Sequence, residues 1–310
     1  MTNALKMLET VNQESVAYSR NDLGMEPKTF EAIAKRCGFE PILIGERDRT
    51  QIRLKKRGIP IVMLYDKDTS REFSYLDIAD LHVGHPDFSP ELLDSTLAKY
   101  YKNGRPMVDY VFIAGDLFEG FTEEAYTYEL VEANPGIREK LVKKRNEHVK
   151  ILFDILSKYD FDYRAINGNH EYTYEQVGIE SPIALLERWM YQKNRHFMFY
   201  DTYIVDFIIA GVVKRMMHLE QFNMKPHSIN AYERVHRFKS HGGLSPYYGD
   251  KKYPVRMFQC GHIHEKMELY DSTNKVYISQ SGCFIETKTD STPAILMQGR
   301  VTDENLVLRT

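Results

Sequence analysis

Five short stretches of this 310-residue chain carry side chains able to hold a metal ion or move a proton. They are Asp80-Leu81-His82, Gly115-Asp116-Leu117-Phe118-Glu119, Gly168-Asn169-His170-Glu171, a histidine closing an apolar run at His218, and Gly261-His262-Ile263-His264. Together Asp80, His82, Asp116, Asn169, His218, His262 and His264 supply hard oxygen and intermediate nitrogen donors and no thiolate. That set suits a pair of divalent ions, manganese first, with iron, zinc, nickel or magnesium as alternatives, rather than a cysteine-based structural zinc. Two such ions about 3.5–4 Å apart can share a carboxylate and a hydroxide, and they lower the pKa of water enough for in-line attack on phosphorus at neutral pH. They also offset the charge that builds on the phosphoryl oxygens in the transition state.

Each stretch alone has a plain reading as a turn. Asp-x-His occurs often at surfaces, Gly-Asp after a strand usually just turns the chain, and Asn-Gly-Asn suits loop geometry. Cys260-Gly261-His262-Ile263-His264 brings a cysteine near histidines, but no paired-cysteine motif accompanies it. What makes the set specific is its placement. Four of the five directly follow an apolar run that reads as a strand, and in open α/β sheets polar groups gather beyond the carboxyl ends of strands.

The elements that must position these residues can be read from periodicity. Phe73–Ala79, Tyr110–Ala114, Tyr163–Ile166, Val255–Cys260 and Lys275–Ser279 read as strands, and Tyr203–Ile209 with Val212–His218 as a hairpin turning at Ala210-Gly211. Helices are expected after Ser89-Pro90, over Gly136–Tyr159, after Ser181-Pro182 and over Ser228–Lys239. Strands and helices that alternate in this way predict an α/β layered domain. The expected form is a two-layer β-sandwich with helices on both outer faces and the site at one sheet edge.

In these motifs the chain resembles the calcineurin-like metallophosphoesterases, over roughly Phe73 to the end. DLHVGH, GDLFE, GNHE and GHIH look most like the DNA-repair nucleases of the SbcD type. The resemblance implies a four-layer α/β/β/α fold and a role for each residue. Asp80, His82 and His264 would hold one metal, Asn169, His218 and His262 the second, and Asp116 would bridge them. His170 would lie outside the metal shell and assist the leaving oxygen or the phosphate, oriented by its neighbour Glu171. The pattern needs one histidine between GNHE and GHIH, for which His218, His227, His236 and His241 are available. His218 is preferred because it ends a strand; His241, in Ser-His-Gly-Gly, is the runner-up and also suits a helix C-terminus. His85 could touch substrate, support the site or be purely structural.

Residues 1–66 read differently. Leu5, Leu8 and Val11 recur at helical spacing, a short helix is expected from Ser15 to Leu23, and a third starts at Pro27 and stops at Gly38. Two strand-like runs, Pro41–Ile44 and Thr50–Leu54, flank a charged turn. Three helices and a basic hairpin make the pattern of a winged helix-turn-helix, and Ser15–Pro41 resembles that family. Arg47, Arg49, Arg53, Lys55, Lys56 and Arg57 on the hairpin, with Lys28, Lys35 and Arg36 on the third helix, are candidate DNA contacts. The plain alternatives are a solvated face or a dimerisation module. The expected division is a winged-helix domain over 1–66 and a phosphoesterase domain over 67–310.

Composition agrees with a soluble globular protein: 43% hydrophobic, 27% charged, net charge −3. Through Tyr65 there are 11 basic against 8 acidic residues, and beyond it 30 against 36. No apolar run approaches the ~18–20 residues of a membrane span, and Met1–Thr10 lacks the form of a secretory signal. Three scattered cysteines suggest no disulfide framework. The expectation is a cytoplasmic, metal-dependent nuclease or phosphodiesterase acting on DNA. It would bind no membrane, and a homodimer or a partner protein of the repair-nuclease kind is possible. The rivals are a phosphatase on nucleotides or phosphoproteins, and a DNA-bound regulator with an idle site.

Overall fold

The computed structural model describes residues 17–19, 39–44, 51–56, 59–65, 72–121, 126–218, 247–248, 251–262, 264, 266–272, 275–285, 294–302 and 305–309. The chain opens with β1 (Ala17–Ser19), β2 (Phe39–Ile44), β3 (Gln51–Lys56) and β4 (Ile61–Tyr65). There follow β5 (Glu72–Ile78), helix α1 (Pro90–Lys99), a small hairpin of β6 (Tyr101–Lys102) and β7 (Arg105–Pro106), and β8 (Tyr110–Ala114). Helices α2 (Tyr128–Ala133) and α3 (Pro135–Leu156) lead to β9 (Tyr163–Ile166), α4 (Asn169–Gln176) and α5 (Pro182–Gln192). The remaining strands are β10 (Phe197–Tyr200), β11 (Ile204–Ile209), β12 (Val212–His218), β13 (Tyr247–Tyr248), β14 (Lys251–Lys252), β15 (Val255–Gly261), β16 (Met267–Asp271), β17 (Val276–Gln280), β18 (Ile295–Thr302) and β19 (Asn305–Arg309).

The helix starts follow the local chemistry. Ser89 accepts a hydrogen bond from the Leu92 N–H with Pro90 in the first turn, and Asn134 does the same for Ile137 ahead of Pro135. Helix α3 buries Leu141, Val149, Leu152, Ile155 and Leu156, an apolar stripe at helical spacing. Among the described residues no helix is long and apolar enough to cross a membrane.

Two six-stranded mixed sheets form the body, one ordered β10-β9-β8-β5-β18-β19 and the other β16-β17-β15-β12-β11-β4. Phe73, Tyr75, Phe112 and Ile166 of the first sheet pack against Val205, Phe207, Met216 and Met257 of the second, so the sheets meet face to face. The opposite face of the first sheet, with Leu76, Ile78, Val111 and Ile113, is covered by α1, α3 and α5 through Leu93, Leu97, Leu152, Ile183 and Leu186. Among the described residues this gives the expected two-layer sandwich with helices on the outer face of the first sheet. The expected helix over Ser228–Lys239 lies outside the described residues.

The sandwich also holds charge. Lys214 lies over the Tyr75 ring at 4.2 Å and reaches both Asp77 oxygens at 2.8 and 3.0 Å. Ser279 donates to the same carboxylate at 2.6 Å. Gln259 Nε2 donates across the interface to the carbonyls of Ile78 and Phe112, both at 3.1 Å. On the other face of the second sheet Arg215 pairs with Asp206 at 2.7 Å, and both side chains are fully buried.

Two local expectations change. Ala17–Ser19 is a strand paired with β3, not part of a helix over Ser15–Leu23; it completes a three-stranded sheet ordered β1-β3-β2. Ile61–Tyr65, which the sequence reading places ahead of the boundary at 66, pairs in parallel with β11 as the edge of the second sheet. The expected hairpin is present as β2 and β3, with Ile44 opposite Gln51 and Phe39 opposite Lys56.

Candidate metal centre

The strand directions bring the motifs together. β5, β8 and β9 are mutually parallel in the first sheet, and β12 and β15 are parallel in the second. Asp80, Asp116, Asn169, His218 and His262 therefore all leave the same edge of the sandwich. The two sheets touch there: a Cβ on Gly261 would stand 2.1 Å from the Ala114 carbonyl oxygen; within the first sheet, one on Gly168 would stand 2.1 Å from Asp116 Oδ1. Only glycine lets these strand ends approach so closely. Asp80, His82, Asp116 and His262 adopt positive φ, between 50° and 76°, a conformation that L residues rarely take and that clusters at functional sites.

Among the described residues three groups of donors converge, with the atoms of each group within 4.8 Å of one another: Asp80, His82 and His264; His82, Asp116 and His170; and Asp116, His218 and His262. His82 Nε2 stands 3.0 Å from His264 Nε2. Asn169 Oδ1 is 2.9 Å from His218 Nε2 and 3.1 Å from His262 Nδ1, and His218 Nε2 is 3.2 Å from Asp116 Oδ2. Two donors on one ion at ~2.1 Å lie about 3.0–3.4 Å apart for right-angled to tetrahedral geometry. These separations fit divalent ions held among these side chains. His218 Nδ1 is 2.9 Å from the Ala114 carbonyl and His82 Nδ1 is 2.9 Å from Glu119 Oε2. Each outer partner holds the ring so that Nε2 faces the centre, as ligating imidazoles require.

The titration behaviour without ions reflects this crowding. Burial, with the Asp116 charge beside it, raises the Asp80 carboxyl to about 7. Burial also acts to raise Asp116, but the His218 charge and hydrogen bond outweigh it and hold that carboxyl well below the usual range. His218 is opposed by burial yet lifted to about 10 by Asp116. Burial and the His218 charge push His262 down to about 4. For His170 burial is outweighed by Glu119 and Asp116, which lift it to about 9.

The outer carboxylates differ from expectation. Glu171 accepts from the N–H groups of Phe118, Gly168 and Asp116 at 2.8, 2.8 and 3.2 Å, so it binds the Asp116 loop to the start of α4. Glutamate at the third position of a helix reaches back toward the cap, away from the His170 ring. The carboxylate beside His170 is Glu119, whose Oε1 is 3.3 Å from His170 Nδ1 while Oε2 takes His82. Its position in GDLFE was visible in the sequence; its role was not, because only the fold brings it under both rings. His85 is half-exposed, its Nδ1 accepting the Asp87 N–H at 3.1 Å, and it belongs to none of the three donor groups. His227, His236, His241, Lys28, Lys35, Arg36, Arg47, Arg49 and Arg57 lie outside the described residues.

No protein-family profile matches the chain, and no curated protein matches it. Among solved structures, a dimetal phosphatase from Danio rerio is similar at 11% identity, covering 76% of this chain and 95% of that one, with a TM-score of 0.42. A predicted phosphoesterase from Streptococcus pneumoniae is similar at 9% identity over 77% and 88%, with a TM-score of 0.36. Phosphopantetheinyl hydrolase from Mycobacterium tuberculosis is similar at 12% identity over 73% and 95%, with a TM-score of 0.35. Likenesses of this degree assign neither activity nor substrate to this chain.

Proposed function

We propose that this chain is a two-metal phosphoesterase whose substrate is the phosphodiester backbone of DNA. The observation that carries the reading is two neighbouring donor groups, Asp80 with His82 and His264, and Asp116 with His218 and His262, with donor separations of 2.9 to 3.2 Å around the second and His82 Nε2 standing 3.9 Å from Asp116 Oδ2 between them. Asp80, His82 and His264 would hold one ion and Asn169, His218 and His262 the other, with Asp116 available to both. Bound there, divalent ions, manganese first among them, would polarise the phosphoryl oxygens and supply a nucleophile from water at neutral pH. His170, its Nδ1 held 3.3 Å from Glu119 Oε1, would give its proton to the departing alkoxide. Glu119 fixes that ring and His82 together, and Glu171 keeps Asp116 in place from behind.

The DNA substrate is supported by the winged-helix reading of the first 66 residues and by the basic strand β3, which carries Arg53, Lys55 and Lys56. A phosphatase acting on nucleotides or phosphoproteins is the second reading. It is favoured by the acidic balance beyond Tyr65, 36 carboxylates against 30 cations, and would leave the N-terminal module to dimerisation or a partner protein. The deciding experiment incubates the protein with Mn²⁺ and labelled single- and double-stranded DNA, with p-nitrophenyl phosphate esters as controls. Cleavage of DNA supports the first reading; hydrolysis of the monoester alone supports the second; no hydrolysis of any ester with Mn²⁺ bound refutes both.

A further inference from the structure

Phe121 stands directly beyond the Gly120 N–H, which lies 3.3 Å from His170 Nδ1. Its own N–H is held by Thr173 Oγ1 at 2.9 Å, and that hydroxyl donates to the His170 carbonyl at 2.8 Å. A Cβ on Gly120 would meet Thr173 Oγ1 at 2.6 Å and the His170 carbonyl at 2.8 Å, so the backbone at 120–121 lies flush on the turn that carries His170. The position of Phe121 relative to His170 is thus set by three contacts within two residues. One side of its ring covers the fully buried Tyr174, with centroids 4.3 Å apart, and Tyr126 stands nearly edge-on at 6.3 Å. Phe121 is only half-buried, and its backbone adjoins the turn that carries the residue proposed to protonate the leaving oxygen.

We infer that Phe121, backed by Tyr174 and flanked by Tyr126, stacks the nucleobase next to the scissile phosphate. This rests on the nucleic-acid reading of the site. A planar base is the group that adjoins a phosphodiester and gains from an aromatic face whatever its sequence. A purely packing role needs an apolar side chain over Tyr174, which leucine would also supply; stacking needs a ring.

The test crosses protein and substrate. With Mn²⁺ bound, kcat/KM is measured for a thymidine dinucleotide and for its analogue with a tetrahydrofuran abasic unit on one side of the phosphate, each side in turn. Wild-type protein should prefer the base-bearing substrate by roughly 5- to 150-fold on one side. In Phe121→Leu that ratio should fall toward one, and in Phe121→Tyr it should return. An unchanged ratio in Phe121→Leu overturns the assignment, as does a wild-type enzyme indifferent to the base on both sides. If the wild type hydrolyses bis(p-nitrophenyl) phosphate but neither dinucleotide, the nucleic-acid reading falls and takes this inference with it, while the phosphoesterase chemistry stands.

Discussion

Loading the centre with Mn²⁺ should release protons, and the number released should fall as pH rises. Asp80, raised to about 7 by burial and the Asp116 charge, is roughly nine-tenths protonated at pH 6. His218, lifted to about 10 by Asp116 against burial, is protonated throughout this range, whereas His262, pushed down to about 4, is already neutral. Ligation requires the unprotonated forms. Binding then releases about two protons at pH 6 and about one at pH 8, and affinity rises roughly a thousandfold between those values. The ion-free protein should show the converse trend in stability. Both groups bind protons more tightly folded than unfolded, so Asp80's contribution is lost as pH climbs from 3.8 to about 7 and His218's from 6.5 to about 10. Asp116 and Glu119, depressed in the fold by histidine partners that outweigh burial, act in the other direction and lose their contribution below about pH 4. The assay is calorimetric titration of Mn²⁺ at pH 6, 7 and 8 in buffers of different protonation enthalpy, with thermal unfolding in chelator alongside. Affinity that does not change with pH, or binding without proton release, would refute the crowding argument on which the ligand set stands.

Asp116→Ala and His262→Ala should abolish hydrolysis with the fold retained, whereas His170→Ala should keep both ions and turn over slowly; metal content and circular dichroism separate these cases, and loss of both ions from His170→Ala would make it a ligand. Glu119→Gln should weaken metal binding about 10–100-fold through His82 and bring His170 back toward its ordinary pKa, read from the ring's NMR titration; an unshifted His170 would remove Glu119 from its proposed role. Changing Arg53, Lys55 and Lys56 together to Ala should weaken DNA binding for all sequences and flatten its salt dependence by up to about 3 units, leaving p-nitrophenyl ester hydrolysis nearly unchanged. Tight, salt-insensitive DNA binding by that variant would count against phosphate contacts on the hairpin.

Much of the site was legible because its residues sit next to strong local signals. Tyr110–Ala114 and Tyr163–Ile166 are apolar runs that end where expected, and the glycines after them announce a turn. The Ala210-Gly211 turn was equally plain, with φ of 48° and 83°. What escaped has no local mark. Ile61–Tyr65 is an apolar strand whose partner, β11, lies some 140 residues away in sequence, and nothing nearby says which module it joins. Ala17–Ser19 is too short to show a period of two, and its strand state depends on β3. Glu119 and Glu171 look interchangeable as carboxylates beside the chemistry. Helix geometry alone turns one to backbone amides, and the strand-end turn places the other beneath two imidazoles.

The polar residues inside the sandwich follow the same logic at longer range. Val212–His218 carries two adjacent cations, Lys214 and Arg215, and both are fully buried and paired. Asp77, Lys214 and Gln259 precede Asp80, His218 and His262 by only three or four residues, and all three lie between the sheets. Apolar contact is non-directional, and two sheets held by it alone can slide at little cost. Gln259 and the Lys214–Asp77 pair make directed bonds across the interface just behind the ligands, so a sliding sheet would break them and leave buried polar groups unsatisfied. A buried ion pair contributes little net stability once desolvation is counted. Its value here lies in register: it couples the strand ends of one sheet to those of the other, which is what a centre built from both sheets demands.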